Sequence, residues 1–501
     1  MATAIPANRA SFTVEEIARA THGRIVHAGG ASVGVSTDSR AIVEGAAFVA
    51  LTGDKFDGHA FLSSAVALGA KTLIVSRDGV GPWEGGANPA VVRVDDTRVA
   101  LGALARLHRV RWAEIRDEAR SRSTNRPPRL VIAITGSAGK TTTKSVLARV
   151  LDAMEPATVH ATAGNLNNDI GVPMTLFGLT EAHHYAVVEV GTNARGEIER
   201  LAQIALPNVA VLTLVAAAHT EGLGSIDDVA TEKGALLAAL PAAGLAVVNA
   251  DDERALTQLA RSPAKTTLTY GFSEKADYRV TFAASRGRDG NRLRIARRAG
   301  VVEVDSPLLG EAGALAVAGS LAVAEWAVGR AAKIDELRAA LSPLADAGDG
   351  RLSVVPLADG TLVIDDSYNA NPASMEASLR AACDVAESEK RRLVVVLGEM
   401  RELGPMSTRE HDKIGELVAR ADVSEVIGVG GEAERITRQA ARAGKSAWFA
   451  LDAEQAIGTV LSRVLARDVV LVKGSRGVAT EKIVRALIEA RGRAPRAGGA
   501  A

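Results

Sequence analysis

Short apolar runs alternate with Gly- and Asp-rich turns over the first hundred residues of the chain. Runs with the length of a buried strand lie at 46–51, 72–75 and 91–94. Before them, Thr13 and Glu16 have the spacing of a capping box, which predicts the start of a short helix. Together these patterns predict a small α/β module over residues 1–96.

A strand–turn–helix pattern repeats from residue 130 onward. Its candidate strands lie at 131–134, 186–190, 209–214 and 245–249. Because helical stretches separate these strands, the spacing predicts βαβ units and a parallel sheet. Residues 268–308 contain short segments in which polar and apolar residues alternate, and these segments predict antiparallel strands attached to that sheet. We assign a central domain to 97–344, in which the polar, proline-containing stretch 111–128 is an inserted loop or linker.

A second α/β series begins after a break at 347–350. Its candidate strands lie at 362–364, 393–397, 426–429, 447–450 and 469–472. They predict a C-terminal domain over 345–491, and the Gly-, Ala- and Arg-rich tail 492–501 is expected to be disordered. The predicted fold class is α/β, with a small N-terminal module, a central parallel-sheet domain and a C-terminal α/β domain.

The composition excludes several classes of function. Lys and Arg together number 59, as do Asp and Glu, so the chain has no basic surplus for nucleic acid or anionic lipid. A single Cys excludes a disulfide framework and a cysteine-ligated metal site. The N-terminal residues lack an apolar leader, and apolar stretches such as 312–324 are too short to cross a bilayer. We therefore expect a cytoplasmic protein with no membrane insertion and no nucleic-acid partner.

A glycine-rich turn lies between a predicted strand and a predicted helix of the central domain. It consists of Thr135, Gly136, Ser137, Ala138, Gly139, Lys140, Thr141 and Thr142. At such a turn, backbone N–H groups and the N-terminus of the helix face a bound phosphate. The Gly-Lys-Thr sequence predicts that Lys140 reaches the β- and γ-phosphates and that Thr141 holds Mg²⁺. The alternative is an ordinary turn between strand and helix.

Three further residues of the central domain are candidates for metal chemistry. Glu189 ends a buried-strand pattern, and strand ends meet the phosphate crevice in a doubly wound sheet, so it is a candidate metal ligand near Thr141. His219 follows an apolar run and is either a metal ligand or a hydrogen-bonded histidine. Lys233 follows in a helical stretch, and from the residues alone it is a solvated lysine.

The C-terminal domain contains one dense polar segment, DDSYNANP at 365–372. It follows a predicted strand, and Asn371 can cap a helix that begins at Pro372. So many hydrogen-bonding groups at one strand end predict a ligand-binding loop. Cys383 has the spacing of a core residue on the following helix, and we assign it no chemistry.

Taken together, these motifs resemble those of the Mur ligase family over nearly the whole chain. The resemblance rests on STDSR (36–40), GDKFDGHAF (53–61), TGSAGKTTTK (135–144), GNLNNDIGVP (164–173), EVGTNARGEI (189–198), AAHTEGLGS (217–225), NADD (249–252), DDSYNANPASM (365–375), LGEMRELG (397–404) and VKGSRG (472–477). Many NTPases share the glycine-rich turn at 135–142, which is called a P-loop. The pair of motifs DDSYNANP and LGEMRELG is far more specific for this family. The chain departs from the common pattern at Ala138, at Ala235 and at Ala312-Gly313, where a His-Asn pair is usual.

The resemblance implies an N-terminal domain for a UDP-sugar, a central ATPase domain and a C-terminal Rossmann-like domain. It implies that Thr141, Glu189 and His219 face two Mg²⁺ ions. It also implies that CO₂ carboxylates Lys233, turning a lysine into a metal-binding carbamate. Lys140, His219 and Lys233 are thereby the implied catalytic residues.

Nucleotide and substrate contacts are implied in the same way. ATP is expected to contact the P-loop together with Asn249, Arg351 and Asp366. The implied substrate-binding residues are Ser39, Arg40, Asp54, Asn165, Asn167, Asn168, Thr192, Arg195, Asn369 and Asn371.

The activity implied by the resemblance is ATP-dependent amide-bond formation in a cytoplasmic step of peptidoglycan synthesis. D-alanyl-D-alanine would be added to UDP-N-acetylmuramoyl-tripeptide through an acyl phosphate, giving ADP and phosphate, and the protein is expected to be a monomer. A folylpolyglutamate synthase, which shares the ATPase core, is one alternative. A P-loop regulatory or motor ATPase is another, although it would not explain the polar loop at 365–372.

Overall fold

The computed structural model describes residues 6–53, 56–81, 83, 88–115, 129–346 and 350–494. These residues form three principal sheets that follow one another along the chain. The sheets lie within 24–93, 130–306 and 353–473.

The first sheet has five strands in the described residues. Their spatial order is Arg24–His27, Ala90–Arg93, Thr72–Val75, Ala47–Val49 and Val35–Ser36. The edge strand Arg24–His27 is antiparallel and the others are parallel. Two small antiparallel pairs join Ser11–Phe12 to Ser32–Val33 and Thr52–Gly53 to Phe56–Asp57. The helices of this part are Val14–Thr21 and Leu62–Ala67.

The capping box predicted from Thr13 and Glu16 is confirmed. The backbone N–H of Glu16 donates to the Thr13 hydroxyl over 3.2 Å, and the backbone N–H of Thr13 donates to the Glu16 carboxylate over 2.9 Å. The reciprocal bonds satisfy two donors that the helix cannot satisfy internally.

Helix Thr97–Glu114 joins the first sheet to the central one and packs on helices from both parts. Because Trp112 is buried and Arg111 pairs with Glu16, the helix continues through the polar residues that follow position 110. The prediction of a loop beginning at 111 is therefore wrong for 111–114. The rest of that predicted insertion, 116–128, lies outside the described residues.

The central sheet has nine strands in the part of the chain that the structure describes. Their order is Val159–Ala161, Tyr185–Glu189, Leu130–Thr135, Val209–Leu212, Leu245–Asn249, Thr266–Gly271, Tyr278–Ser285, Asn291–Arg297 and Gly300–Ser306. The first seven are parallel and the last two add antiparallel hairpins. The antiparallel prediction holds for the pairing of Tyr278–Ser285 with Asn291–Arg297 and of Asn291–Arg297 with Gly300–Ser306. Residues 268–271 instead belong to a parallel strand of the main sheet.

The helices of the central part are Lys140–Met154, Gly171–Phe177, Glu197–Ala205, Thr220–Leu223, Ile226–Ala238, Glu253–Thr257, Gly310–Val328 and Ile334–Leu341. Gly310–Val328 is long enough and apolar enough to span a bilayer, with 19 residues, and 72% of its apolar window is buried inside the protein. The prediction that this apolar stretch is too short to cross a bilayer is wrong, because the helix extends beyond 312–324 at both ends. Its composition reflects packing against Lys140–Met154 and the sheet.

The third sheet has six strands in the described residues. Their order is Ser353–Pro356, Leu362–Asp366, Val469–Lys473, Leu393–Gly398, Glu425–Val429 and Ser446–Ala450. All five predicted strands are present and parallel, and the edge strand Ser353–Pro356 is antiparallel. The helices are Pro372–Glu389, Ser407–Arg420, Ala433–Arg442, Ala453–Arg463 and Glu481–Arg491.

The first residues of the predicted disordered tail are ordered. Arg493 forms a bridge with Leu357, and the backbone N–H of Ala494 donates to the Pro356 carbonyl over 3.0 Å. The exposed edge of the third sheet supplies these hydrogen-bonding groups, so disorder is a wrong prediction for 492–494. Residues 495–501 lie outside the described part of the chain.

Candidate active site

A cleft of about 1010 Å³ lies between the central and C-terminal sheets. Strands of both sheets end there, and their loops form its two walls. The predicted residues that line it are Ser137, Ala138, Gly139, Lys140, Thr141, Thr142, Asn165, Asn167, Asn168, Glu189, Thr192, His219, Lys233, Asn249, Arg351, Asp366, Asn369 and Asn371. Most residues that the sequence singled out are thereby brought to one place.

The glycine-rich turn connects strand Leu130–Thr135 to helix Lys140–Met154, as predicted. Gly136 has a φ of 152°, and a β-carbon there would collide with the Thr213 hydroxyl, so the turn requires glycine at this position. The Lys140 ammonium donates to the Gly136 carbonyl over 2.7 Å and thus folds back over the turn. Residues 137–142 of the turn line the cleft, and a glycine-rich turn at the N-terminus of a helix is suited to bind phosphate.

Glu189 lies at the centre of a hydrogen-bonded cluster beside the turn. The Thr141 hydroxyl donates to its Oε2 over 2.8 Å, and the Asn167 amide donates to its Oε1 over 2.9 Å. The Lys144 ammonium lies 3.4 Å from Oε2. Since Mg²⁺ prefers oxygen ligands, the Thr141 hydroxyl and the Glu189 carboxylate fit the predicted metal role.

The charges of this cluster act on one another. Burial would raise the pKa of Glu189, but the nearby cations Lys144, Lys140 and Arg351 and the hydrogen bond from Asn167 together hold the pKa below its usual value. Burial lowers the pKa of Lys140, partly opposed by Glu189. The carboxylate is therefore ionised at neutral pH, as a metal ligand must be.

His219 makes a contact that the sequence did not predict. Its Nδ1 donates to the Glu402 carboxylate of the C-terminal domain over 2.5 Å, and this hydrogen bond lowers the pKa of Glu402. One ring nitrogen of His219 is therefore used across the cleft. Among the described residues, no three His, Cys, Asp or Glu side chains are grouped to hold a metal ion. A metal here would need hydroxyl, phosphate or carbamate oxygens in addition to Glu189.

Lys233 is buried, with 1% of its surface exposed, so the prediction of a solvated lysine is wrong. Burial lowers the pKa of its ammonium well below the usual value, and Lys140 lowers it further. The neighbouring Glu232 carboxylate opposes this only in part. It accepts hydrogen bonds from the backbone N–H groups of Gly196 and Ile198, at 2.7 and 2.9 Å, at the start of helix Glu197–Ala205. The environment therefore favours the neutral amine of Lys233.

Asp366 is held by its own domain. Its Oδ2 accepts from the Lys473 ammonium and from the Ser378 hydroxyl, each over 2.5 Å, and its Oδ1 accepts from the backbone of Leu352 over 3.1 Å. The sequence analysis missed Lys473, which is 1% exposed and also donates to the Asn369 carbonyl. A signal was present, since Lys473 ends an apolar strand in the same way as Glu189.

The polar loop at 365–372 touches the P-loop directly. The Asn371 side chain donates to the Ser137 carbonyl over 3.0 Å while its oxygen caps helix Pro372–Glu389, as predicted. The guanidinium of Arg351 lies 3.9 Å from the ring centroid of Tyr368. The aromatic ring of the loop and the neighbouring guanidinium of Arg351 both line the cleft that contains the glycine-rich turn.

Other residues predicted to bind substrate or nucleotide form hydrogen bonds with the protein's own loops. The Asn168 side chain accepts from the backbone N–H of Gly171, and the Asn249 side chain accepts from the backbone N–H of Asp251. The Thr192 hydroxyl donates to the Ala194 carbonyl. Arg195 is not part of the cleft lining, because it pairs with Asp228 and donates to the Leu223 carbonyl.

The predicted N-terminal contacts lie apart from this cleft. Ser39 and Arg40 belong to a short turn capped by Asp38, and Arg40 is exposed and pairs with Asp38 over 2.7 Å. Asp54 lies outside the described residues.

The departure at Ala312-Gly313 has a local packing explanation. Gly313 is buried, and a β-carbon there would come within 2.6 Å of the Leu308 side chain. Ala312 is exposed at the edge of the cleft. A larger residue at 313 would therefore require Leu308 to move.

Comparison with known proteins covers most of the chain. Residues 32–109 match "Mur ligase family, catalytic domain", residues 134–324 match "Mur ligase middle domain", and residues 350–476 match "Mur ligase, glutamate ligase domain". The UDP-N-acetylmuramoyl-tripeptide–D-alanyl-D-alanine ligase of Escherichia coli K12 is 36% identical over 485 residues, covering 96% of this chain and 99% of that protein.

Solved structures agree with the sequence matches. MurF from Acinetobacter baumannii superposes with a TM-score of 0.81 at 30% identity, covering 96% of this chain and 100% of that one. MurF ligase from Thermotoga maritima in complex with ADP superposes with a TM-score of 0.76 at 27% identity, covering 91% of this chain and 97% of that one. A folylpolyglutamate synthase from Mycobacterium tuberculosis gives 0.59 at 20% identity and covers 80% of this chain and 95% of that one, a likeness of fold alone.

Proposed function

Since this chain belongs to the Mur ligase family, we propose that it joins D-alanyl-D-alanine to UDP-N-acetylmuramoyl-tripeptide, coupled to the cleavage of ATP to ADP and phosphate. The observation that carries the proposal is the cleft itself, in which a phosphate-binding turn is joined to the polar loop of a second domain by the Asn371–Ser137 hydrogen bond. A ligase needs this arrangement because nucleotide, acid and amine must meet in one place.

The chemistry begins with activation of the tripeptide carboxylate. One of its oxygens attacks the γ-phosphorus of ATP, the bond to ADP breaks, and an acyl phosphate forms. The Lys140 ammonium would neutralise the charge that develops on the transferred phosphoryl group. Mg²⁺ held by Thr141 and Glu189 would supply further positive charge there, and the family expectation is two such ions.

Amide-bond formation follows at the same carbon. The acceptor amine attacks the acyl phosphate, and the tetrahedral intermediate loses phosphate while the amine loses a proton. Because an acyl phosphate also hydrolyses, water must be kept out while it exists. The contacts across the cleft, Asn371 to Ser137 and Glu402 to His219, support a closed arrangement that excludes it.

We also propose that Lys233 acts as a carbamate. The neutral amine attacks CO₂, a nitrogen–carbon bond forms, and a proton leaves. Burial and the nearby Lys140 support this step, because both lower the lysine pKa. The product carries negative charge and two oxygens, the ligand type that Mg²⁺ prefers.

The substrate is proposed to run from the N-terminal module to the cleft. Ser39, Arg40 and Asp54 would contact the UDP-sugar, and the loops around 165–168 and 192–195 would contact the peptide. Arg98 supports this path, because it pairs with Asp169 over 2.9 Å and donates to the Thr52 carbonyl. We place the domain borders at 96/97 and 344/345, between the three sheets.

Phosphate release from ATP tests the function directly. Release is expected only when both UDP-N-acetylmuramoyl-tripeptide and D-alanyl-D-alanine are present, with a product whose mass equals the two joined less one water. Tripeptides that differ at the third residue would define the natural substrate. Release without an acceptor, or with a folate and glutamate instead, would contradict the proposal.

The expected location and assembly are those of a cytoplasmic monomer. ATP and a UDP-linked substrate are cytoplasmic metabolites, which supports this location. Light scattering of the purified protein measures its mass in solution, and a dimer would contradict the expected assembly.

A further inference from the structure

The ring of Tyr368 lies beside two guanidinium groups. Arg351 is 3.9 Å from the ring centroid and Arg476 is 5.5 Å from it. Within the described part of the chain, neither guanidinium forms a salt bridge with a carboxylate. Two guanidiniums thus lie close together in the cleft, and no carboxylate of the described residues forms a salt bridge with either.

Other cations on the same wall are already paired. Lys473 is neutralised by Asp366 over 2.5 Å, and Arg401 by Glu399 over 3.1 Å. A guanidinium that forms no salt bridge attracts anions, and low-dielectric walls strengthen that attraction. The two guanidiniums beside Tyr368 are therefore the groups of this wall best suited to bind anionic parts of the substrates.

The two arginines are suited to different anions. The positive charge of Arg351 helps to lower the pKa of both Lys140 and Glu189, so it lies near the phosphate-binding turn. Arg476 also lines the cleft, farther from the Tyr368 ring than Arg351 is. Arg351 is accordingly suited to the nucleotide, and Arg476 is left for a different anion.

The backbone that carries Arg476 is firmly held. The adjacent Ser475 hydroxyl donates to the Ala370 carbonyl over 3.2 Å and accepts from the Arg401 backbone over 2.9 Å. The Ser475 backbone donates to the Glu399 carbonyl. An anchored backbone places the guanidinium with a smaller loss of entropy on binding.

We propose that Arg476 binds the terminal carboxylate of the acceptor dipeptide. The inference rests on the proposed function, which requires an acceptor with a free carboxylate at one end and an amine at the other. The amine must reach the acyl carbon at the phosphate end, which places the carboxylate of an extended dipeptide roughly 7 Å away. A guanidinium binds a carboxylate through two parallel hydrogen bonds, which an ammonium does not match.

The experiment compares two acceptors in four proteins. The acceptors are D-alanyl-D-alanine and its C-terminal amide, which lacks the negative charge. The proteins are wild type, Arg476→Ala, Arg476→Lys and the control Arg463→Ala, whose guanidinium stacks on Trp448 at 3.8 Å outside the cleft. Phosphate release gives the KM for each acceptor, for ATP and for the UDP-linked substrate.

In wild type and in the control, the amide should have a KM on the order of 10- to 100-fold above that of the acid, the range for a hydrogen bond to a charged group. Arg476→Ala should raise the KM of the acid by a similar factor and leave the KM values of the amide and ATP nearly unchanged. For Arg476→Lys, the KM of the acid should lie between those of wild type and Arg476→Ala, because lysine keeps the charge but loses the paired hydrogen bonds.

Equal KM values for acid and amide in the wild type would overturn the assignment of Arg476, as would an Arg476→Ala protein that still prefers the acid. A rise in the KM of ATP alone would also overturn it and move Arg476 to the nucleotide. If Arg476→Ala does not fold, the acid-to-amide ratio of Arg476→Lys decides. Failure of the wild type to ligate any D-alanyl-D-alanine would instead contradict the proposed function.

Discussion

The two walls of the cleft hold their charged groups in different ways. On the central wall, Lys140, Thr141 and Glu189 are held by partners of the same sheet and its turn, over 2.7 to 2.8 Å. On the C-terminal wall, the Asp366–Lys473 pair is equally internal, but Arg351 and Arg476 have no carboxylate partner in the described residues. The first wall is therefore complete before substrates bind, whereas the second presents charge that substrates must balance.

Few hydrogen bonds join the walls. Asn371 reaches Ser137, His219 reaches Glu402, and the Thr220 hydroxyl donates to the Leu403 carbonyl over 2.9 Å. Each such bond contributes about 1 kcal/mol or a little more. Substrates that bridge the walls can therefore shift the balance between open and closed arrangements. The central wall is complete without substrates and the C-terminal wall is not, and this difference leads to four predictions.

Lys140→Ala should produce the largest effect, because it removes the positive charge at the transferred phosphoryl. We expect turnover to fall on the order of a thousandfold with the fold intact. Phosphate release measures turnover, and thermal unfolding shows whether the fold is intact. Near-normal turnover in a folded variant would show that the central wall does not bind the phosphates.

Lys233→Ala tests whether the central wall of the cleft includes a carbamate on Lys233. Activity should fall at least on the order of a hundredfold, the size seen when groups that support a metal are lost. Short-chain carboxylic acids should restore part of it, because they can fill the vacated volume with an oxygen ligand. Lys233→Arg is the matched control, since it keeps a positive charge and leaves no space. Full activity of Lys233→Ala would return Lys233 to a purely structural role.

Lys473→Met tests the internal part of the C-terminal wall. Removing one partner leaves the Asp366 carboxylate buried without its counter-charge, which costs about 3–5 kcal/mol. Urea unfolding should show this loss, and the double variant with Asp366→Leu should lose less than Lys473→Met alone. The exposed pair of Lys482 with Glu454 is a control, for which Lys482→Met should change stability little. Unchanged stability of Lys473→Met would mean that the pair contributes nothing.

The walls also differ in how much of each was evident from the sequence. The P-loop was predictable because its function depends on consecutive residues between one strand and one helix, 135–142. Glu189 could be placed because a carboxylate at the end of a buried strand lies where strand ends converge. Most strands of the three sheets followed from apolar runs. The strands Arg24–His27, Val35–Ser36, Val159–Ala161 and Ser353–Pro356 were not predicted, 268–271 was given the wrong direction, and 111–114 was predicted as a loop although it is helical.

The remaining features depend on pairs far apart in the chain. Lys473 and Asp366 are 107 residues apart, and His219 and Glu402 are 183 apart. No local pattern states that such side chains meet, because the meeting depends on how two sheets are placed relative to each other. The burial of Lys233 has the same origin, since a lysine in a helix is ordinarily solvated and only the surrounding strands and loops enclose it.

The smallest expected effect concerns the His219–Glu402 contact, and it also separates two roles of His219. Glu402→Ala removes a partly exposed hydrogen bond between the walls, so kcat/KM should fall only about two- to fivefold. The matched control is Glu434→Ala, which removes an exposed pair with Arg438 outside the cleft and should leave kcat/KM unchanged. If His219 serves only to join the walls, His219→Ala should match Glu402→Ala, and the double variant should be no worse than either. If His219 also faces a metal ion, as the family resemblance implies, His219→Ala should be much the worse of the two and its defect should depend on Mg²⁺ concentration. An effect of Glu402→Ala as large as that of Lys140→Ala would contradict the comparison, because it would make closure as essential as the phosphate-binding wall.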